Sequence, residues 1–261
     1  MAISRWLNTV SSMVIAAFFA MDGASAQNAA KIGVASAVKN RVEGSTGGGA
    51  RPLAAGSSIF AREVVRTGDE STAQLLFLDE TSLSIGPQSE VTLDRFVFDP
   101  NRGTGNVVIN ATRGAFRFVS GSQQPSNYQI RTPVATIGVR GTIFDGYLTK
   151  NAKGETILIV ILVEGSCTIT FGGRPYSLTI PGQAMIINSQ GNVQLVTWDS
   201  TLFAVVDQKK SFPLFGSHWP TDPQWQHIPN IPQDRIEQIL GGGPPYVPPG
   251  NNDGGDGDGG C

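Results

Sequence analysis

Apolar and polar residues alternate along much of residues 31–196, and turn residues break the rhythm about every ten positions. Ile32, Val34, Val38 and Val42 share one parity while Lys31, Lys39 and Arg41 share the other, which predicts a half-buried strand. Thr46-Gly47-Gly48-Gly49 ends that pattern, and a second strand is expected near 59–65, closed by Thr67-Gly68-Asp69. Residues 73–78 are apolar on both parities, as in a strand covered on both faces. Turns at Asp79-Glu80 and Gly86-Pro87 lead into Leu83 and Ile85, then Val91 and Leu93. Phe96 and Phe98 precede a turn at Asp99-Pro100-Asn101, and separate strands are expected over 107–109 and 116–119.

Residues 156–163 are too few to cross a bilayer and too β-branched to favour a helix, so they predict a central strand. Further short strands are expected over 166–171, 176–180, 184–187 and 193–196. The pattern predicts an all-β domain over 27–197, either sandwich-like or a short-strand solenoid. After Trp198 the character changes. One short helix is expected around Leu202 to Val206 and another over 233–240, stopped by Gly241-Gly242-Gly243. Residues 198–240 form an extension rich in Pro and aromatics, and 241–261 an expected disordered Gly/Pro/Asp tail.

The first 26 residues predict a signal peptide, with Arg5 in the n-region, an apolar run over 13–21, and Ala24-Ser25-Ala26 at the cleavage site. Asp22 ends the run short of a membrane span, so no spanning segment is expected after cleavage, and the location is periplasmic or secreted. The chain has 261 residues, 15% of them charged, and a net charge of −2, which speaks against nucleic acid as a partner. Cys167 lies in an expected strand and Cys261 is the last residue. A bridge between them is open, but Cys167 reads better as a small buried side chain.

Candidate chemistry is sparse. His218 and His227 lie in the Pro-rich extension, with neither a triad partner pattern nor the i, i+4 spacing of a helical zinc site. Asp69-Glu70 and Asp79-Glu80 fall at turns, where solvated acids are expected, so a hydrolase using them ranks last. Asp253, Asp256 and Asp258 lie in a single Gly/Asp run without an apolar repeat. Calcium is not expected there, and no cofactor or metal is assigned. Trp219 and Trp225 are candidate partner contacts, or else part of a strap packed on the β core. With Tyr246 they also suit a carbohydrate- or peptidoglycan-binding module, the alternative reading.

The most distinctive stretch holds Thr132, Pro133, Gly138, Arg140, Gly141, Thr142 and Phe144. Gly138 and Gly141 permit a bulge or a close backbone approach. Arg140 between them reads as a half-buried strut joining strands, or as a recognition group for an anion or partner. This motif resembles the signature of FecR-type domains. Residues 66–68 with 83–89, and 113–121, resemble the same family, in the right order. The resemblance implies a periplasmic all-β module without catalytic residues. In the best-known members it passes a signal from an outer-membrane siderophore transporter to a sigma factor. Those members have a cytoplasmic segment and a transmembrane helix, where this chain has an expected signal peptide. The expected function is therefore an exported, non-catalytic binding or scaffolding role through an envelope protein partner.

Overall fold

A computed structural model describes residues 29–47, 49–99, 104–151 and 153–197. The expected signal peptide, the two C-terminal helices, the acidic tail, Trp219 and Trp225 lie outside these residues. The regular elements of the described residues are all strands, apart from one 3-10 turn at Pro125–Asn127. The all-β expectation therefore holds.

In chain order the strands are β1 Lys31–Lys39, β2 Val42–Ser45, β3 Ala50–Pro52, β4 Ser58–Phe60, β5 Val64–Thr67, β6 Thr72–Phe77 and β7 Ser82–Ile85. They continue with β8 Glu90–Asp99, β9 Thr104–Val119, β10 Tyr128–Arg131, β11 Thr136–Lys150, β12 Thr156–Phe171, β13 Arg174–Leu178, β14 Gln183–Asn188 and β15 Val193–Thr197. All belong to one hydrogen-bonded sheet, and every ladder except β9–β10 is antiparallel. The sheet folds over on itself into two layers. The first runs β3-β2-β5-β8, the first half of β9, β10, the first half of β11, the second half of β12, then β13. The second runs β4-β1-β6-β7, the second halves of β9 and β11, the first half of β12, then β14 and β15. Aromatic contacts span the space between them. Phe77 of β6 stacks on Phe96 of β8 at 5.7 Å, and Phe118 meets Tyr128 edge-on at 5.6 Å. This antiparallel, folded-over sheet is the sandwich-like form of the two expected.

Three strands pass from one layer to the other, and each does so at a glycine in the left-handed region: Gly114 at φ 82°, Gly141 at 57° and Gly165 at 78°. Each crossing also changes which parity points inward. In β9, Val107, Ile109 and Ala111 face the core before Gly114, and Phe116 and Phe118 after it. In β11 the core residues are Ile137 and Val139, then Phe144 and Leu148. In β12 they are Leu158, Val160 and Leu162, then Cys167 and Ile169. One extra residue at each bend, inserted as a bulge, accounts for the switch. The sequence pattern therefore splits β9 and β12 into separate strands, whereas the backbone carries each through 16 residues.

Other departures have similar causes. Asn40 at φ 57° divides the first expected strand into β1 and β2, and Arg62 at φ 64° divides 59–65 into β4 and β5. A bulge between Ala35 and Ala37 shifts the parity, so Ala35 pairs with core Leu75, Ala37 with outward Gln74, and Val38 packs against the core. In β6, Ala73, Leu75 and Phe77 are core while Leu76 is 42% exposed, so that strand is not covered on both faces.

The bends make unequal demands on their glycines. A Cβ on Gly165 would lie 1.9 Å from the Gly141 carbonyl oxygen, whereas one on Gly141 would meet nothing within 4 Å. Gly141→Ala is expected to cost about 1–2 kcal/mol, the left-handed penalty alone. Gly165→Ala adds a backbone collision and is expected to cost at least about 3 kcal/mol. Urea unfolding of the two variants checks the order; equal losses would show that the close approach is unimportant.

Candidate functional site

The Arg140 motif is assembled from the turn between β10 and β11 onwards. Thr132 Oγ1 accepts hydrogen bonds from the Val134 and Ala135 amides and donates to the Ala135 carbonyl at 2.8 Å, which closes the turn around exposed Pro133. At the crossing, Thr142 points inward. Its Oγ1 donates to the Ser166 carbonyl of β12 and accepts from the Arg140 amide at 3.2 Å, and its own amide donates to Ser120 Oγ at 2.9 Å. Phe144 is fully buried against Phe116 and Phe118. Thr132, Gly141, Thr142 and Phe144 thus hold the fold.

Gly138 and Arg140 face the other way. A Cβ on Gly138 would meet only the Thr168 carbonyl oxygen, at 3.8 Å, so the missing side chain leaves a dent on the outer surface of the first layer. A cleft of about 490 Å³ opens there, lined by Gly138, Val139, Arg140, Thr168, Tyr128, Gln124 and Ser126. The Arg140 side chain is exposed rather than a half-buried strut, and among the described residues its guanidinium makes no hydrogen bond or ion pair. An exposed planar fork beside a backbone-floored dent can take a carboxylate by two parallel hydrogen bonds.

Beneath this surface lies a polar knot that the sequence does not reveal. Asp79 sits in the β6–β7 turn but is fully buried, not solvated as expected. Its Oδ2 accepts from Gln123 Nε2 at 2.7 Å, Thr81 Oγ1 at 2.9 Å and the Tyr128 hydroxyl at 3.1 Å, and its Oδ1 accepts from the Thr81 amide. Its carbonyl accepts from Ser122, and a Cβ on Gly121 would lie 2.1 Å from that carbonyl oxygen. Burial pushes the Tyr128 hydroxyl above its ordinary range, so it stays a donor to Asp79.

Two further buried charges escape the sequence reading. Glu63 accepts from Arg51 at 2.7 Å and from the Phe60 amide at 2.9 Å, in space left by Gly44. Arg117, between Phe116 and Phe118, is buried and holds Asp145 of β11 through two parallel hydrogen bonds. The one available signal was an arginine on the outward parity of an otherwise apolar strand. Near the surface, the hydrogen bond from Arg66 holds the Glu90 carboxyl below its ordinary range. Cys167 lies in the core, where burial pushes its thiol up to about 12.

Asp79→Ala would strand the Gln123 amide, the Tyr128 hydroxyl and the Thr81 donors, with an expected loss of about 3 kcal/mol or more. Thermal unfolding checks it, and a loss within experimental error would show the knot to be incidental. For Cys167, a raised thiol value means that its contribution is complete below the ordinary ~8.5 and is lost as pH climbs towards the folded value. In a Cys261→Ser background, folded protein at pH 8 is therefore expected to resist maleimide and to react fully in denaturant. Rapid labelling of the native state would contradict the buried placement.

Residues 63–167 match the family model for FecR protein. No curated protein matches the chain. Two crystal structures of a candidate anti-sigma factor from Parabacteroides distasonis are similar over 53% of this chain, at 15% identity and a TM-score of 0.42. The match spans 61% of that protein's chain, under two thirds of its length. The matched family segment runs from buried Glu63 to buried Cys167 and contains all three layer-crossing glycines, the Asp79 knot and every residue lining the Arg140 cleft except Thr168. Over residues 63–167 the chain is thus similar to FecR proteins.

Proposed function

We propose that this chain is an exported, non-catalytic FecR-domain protein that acts in the cell envelope by binding a protein partner through the cleft beside Arg140. The FecR domain supports a signalling or regulatory role. The expected signal peptide supports export. The two fully buried acids, Glu63 and Asp79, already have both carboxylate oxygens occupied by structural donors, which suits a scaffold better than a reaction site. The observation that carries the reading is Arg140. It is a charged side chain held outward by the alternation of β11, next to a glycine dent, while Thr142 and Phe144 of the same motif point inward. The partner group that fits is a carboxylate on an extended segment, because the cleft floor is backbone and its rim carries Arg140, Thr168, Ser126 and Gln124.

A photo-crosslinking residue placed at exposed Gln124 in the full chain is expected to give a discrete adduct in intact cells, and one placed at Lys153, in the β11–β12 turn, is not. Arg140→Glu should remove that adduct, since loss of a charge-assisted pair worth about 1.5–3 kcal/mol lowers affinity by about tenfold or more. Arg140→Lys should retain part of it. An adduct at Gln124 that is indifferent to Arg140→Glu, or no adduct at all, would overturn the assignment of this cleft.

A further inference from the structure

The crossing of β9 at Gly114 borders a second cavity, of about 470 Å³, which falls within the roughly 300–1,000 Å³ of small-molecule sites. It reaches the end of β11 at Thr149, beyond the Gly141 crossing, and shares no lining residue with the Arg140 cleft. Its polar groups come from separate corners of the sheet: Arg41 between β1 and β2, Asp69 after β5, Gln88 before β8, and Arg113 on β9.

Backbone pairing fixes the order of these pieces. The Gly68 amide donates to the Arg41 carbonyl at 2.9 Å, the Gln88 amide donates to the Gly68 carbonyl at 3.1 Å, and nearby Glu90 pairs with Arg113. Arg41 and Arg113 therefore flank the corner three strand spacings apart, about 14 Å. The φ of Gly68 lies outside the left-handed region, so its backbone does not call for glycine. What Gly68 provides is room, since a Cβ there would lie 3.1 Å from Arg41 Nε. Arg41 thus leans one spacing inward, across Gly68 and towards Gln88. Both arginines are exposed, and among the described residues neither guanidinium makes a hydrogen bond or ion pair. Glu90 is taken by Arg66 at 2.8 Å, and Asp69 Oδ1 accepts from Gln88 Nε2 at 2.6 Å.

We propose that this cavity binds a phosphorylated sugar, with the phosphate between Arg41 and Arg113 and the sugar hydroxyls on Asp69 and Gln88. One guanidinium fork satisfies both oxygens of a carboxylate, whereas a phosphate monoester carries more charge and a third terminal oxygen, which suits two forks. Asp69 and Gln88 set a carboxylate acceptor beside an amide donor on the same rim. That pairing complements neighbouring hydroxyls, each of which both donates and accepts. The cavity holds more than a bare anion, and Thr149 adds another hydroxyl to its wall.

Phosphorus NMR line broadening with the full chain tests this, using glucose-6-phosphate and inorganic phosphate as probes and glucuronate as a competitor. Glucose-6-phosphate is expected to bind most tightly of the three. Arg41→Gln and Arg113→Gln should each lower its affinity about tenfold or more, the loss of one charge-assisted contact. Lys153→Gln, which removes an equal charge elsewhere, should leave it unchanged. Asp69→Asn should weaken glucose-6-phosphate but not inorganic phosphate, because only the sugar reaches Asp69. All four substituted side chains are exposed, so the variants are expected to keep the β circular dichroism of the parent. No broadening in the parent chain, or broadening that survives both arginine changes, would overturn the site. Equal affinity for inorganic phosphate would overturn the sugar assignment, and tighter binding of glucuronate would overturn the phosphate.

Discussion

The left-handed glycine at each layer crossing is the constraint on which the rest of the domain depends. A sheet this wide can enclose a core only by folding over, and β9, β11 and β12 are the strands that run through the fold. At Gly165 the backbone of β12 comes so close to the Gly141 carbonyl that no side chain fits, so two of the three bends are one contact. Thr142 fixes that contact from the inside through the Ser166 carbonyl, and Ser120 joins β9 to the same point. A bend that slipped by one residue would turn Phe144 outward and remove the ring that packs on both Phe116 and Phe118.

Buried polar groups do the remaining stitching, and they do it between stretches far apart in sequence. Thr67 Oγ1 donates to the Gly86 carbonyl and accepts from the Ser89 amide, while Ser89 Oγ exchanges hydrogen bonds with the Ala115 backbone. Asp79 brings the β6–β7 turn against the segment before β10. A buried carboxylate is costly unless donors satisfy it, and one satisfied this fully fixes its turn in a single arrangement. The three motif stretches of the sequence are therefore one connected structure: 66–89 ties to 113–121, and 113–121 ties to 132–144.

Most of the strands were legible because alternation is the physical signature of a sheet with one face on the core. The separate strands expected at 107–109 and 116–119 show the limit. The alternation is real in both pieces, but the bulge at Gly114 puts them out of phase, and a phase change reads as a break. Cys167 was legible as a buried apolar side chain because it sits on the inward parity of its own half of β12. Asp79 was not, because a turn acid looks solvated until its donors, some of them more than forty residues away, are in place. Arg140 was left between two readings for a related reason: the sequence shows an arginine between two glycines but not that Ile137 and Val139 share the inward face and leave it outside.

That direction follows from the same geometry that closes the core. Ile137 and Val139 point inward, so Gly138 and Arg140 point outward. Unbroken alternation would then have put Gly141 inward and Thr142 outward. The extra residue at Arg140-Gly141 restores Thr142 and Phe144 to the inside. The outward arginine therefore follows from the alternation of the first half of β11, and the inward threonine from the bulge that comes directly after it. A motif whose spacing is fixed by folding can in this way carry a recognition group at no added structural cost, because the inward placement of Ile137 and Val139 has already set where Arg140 points.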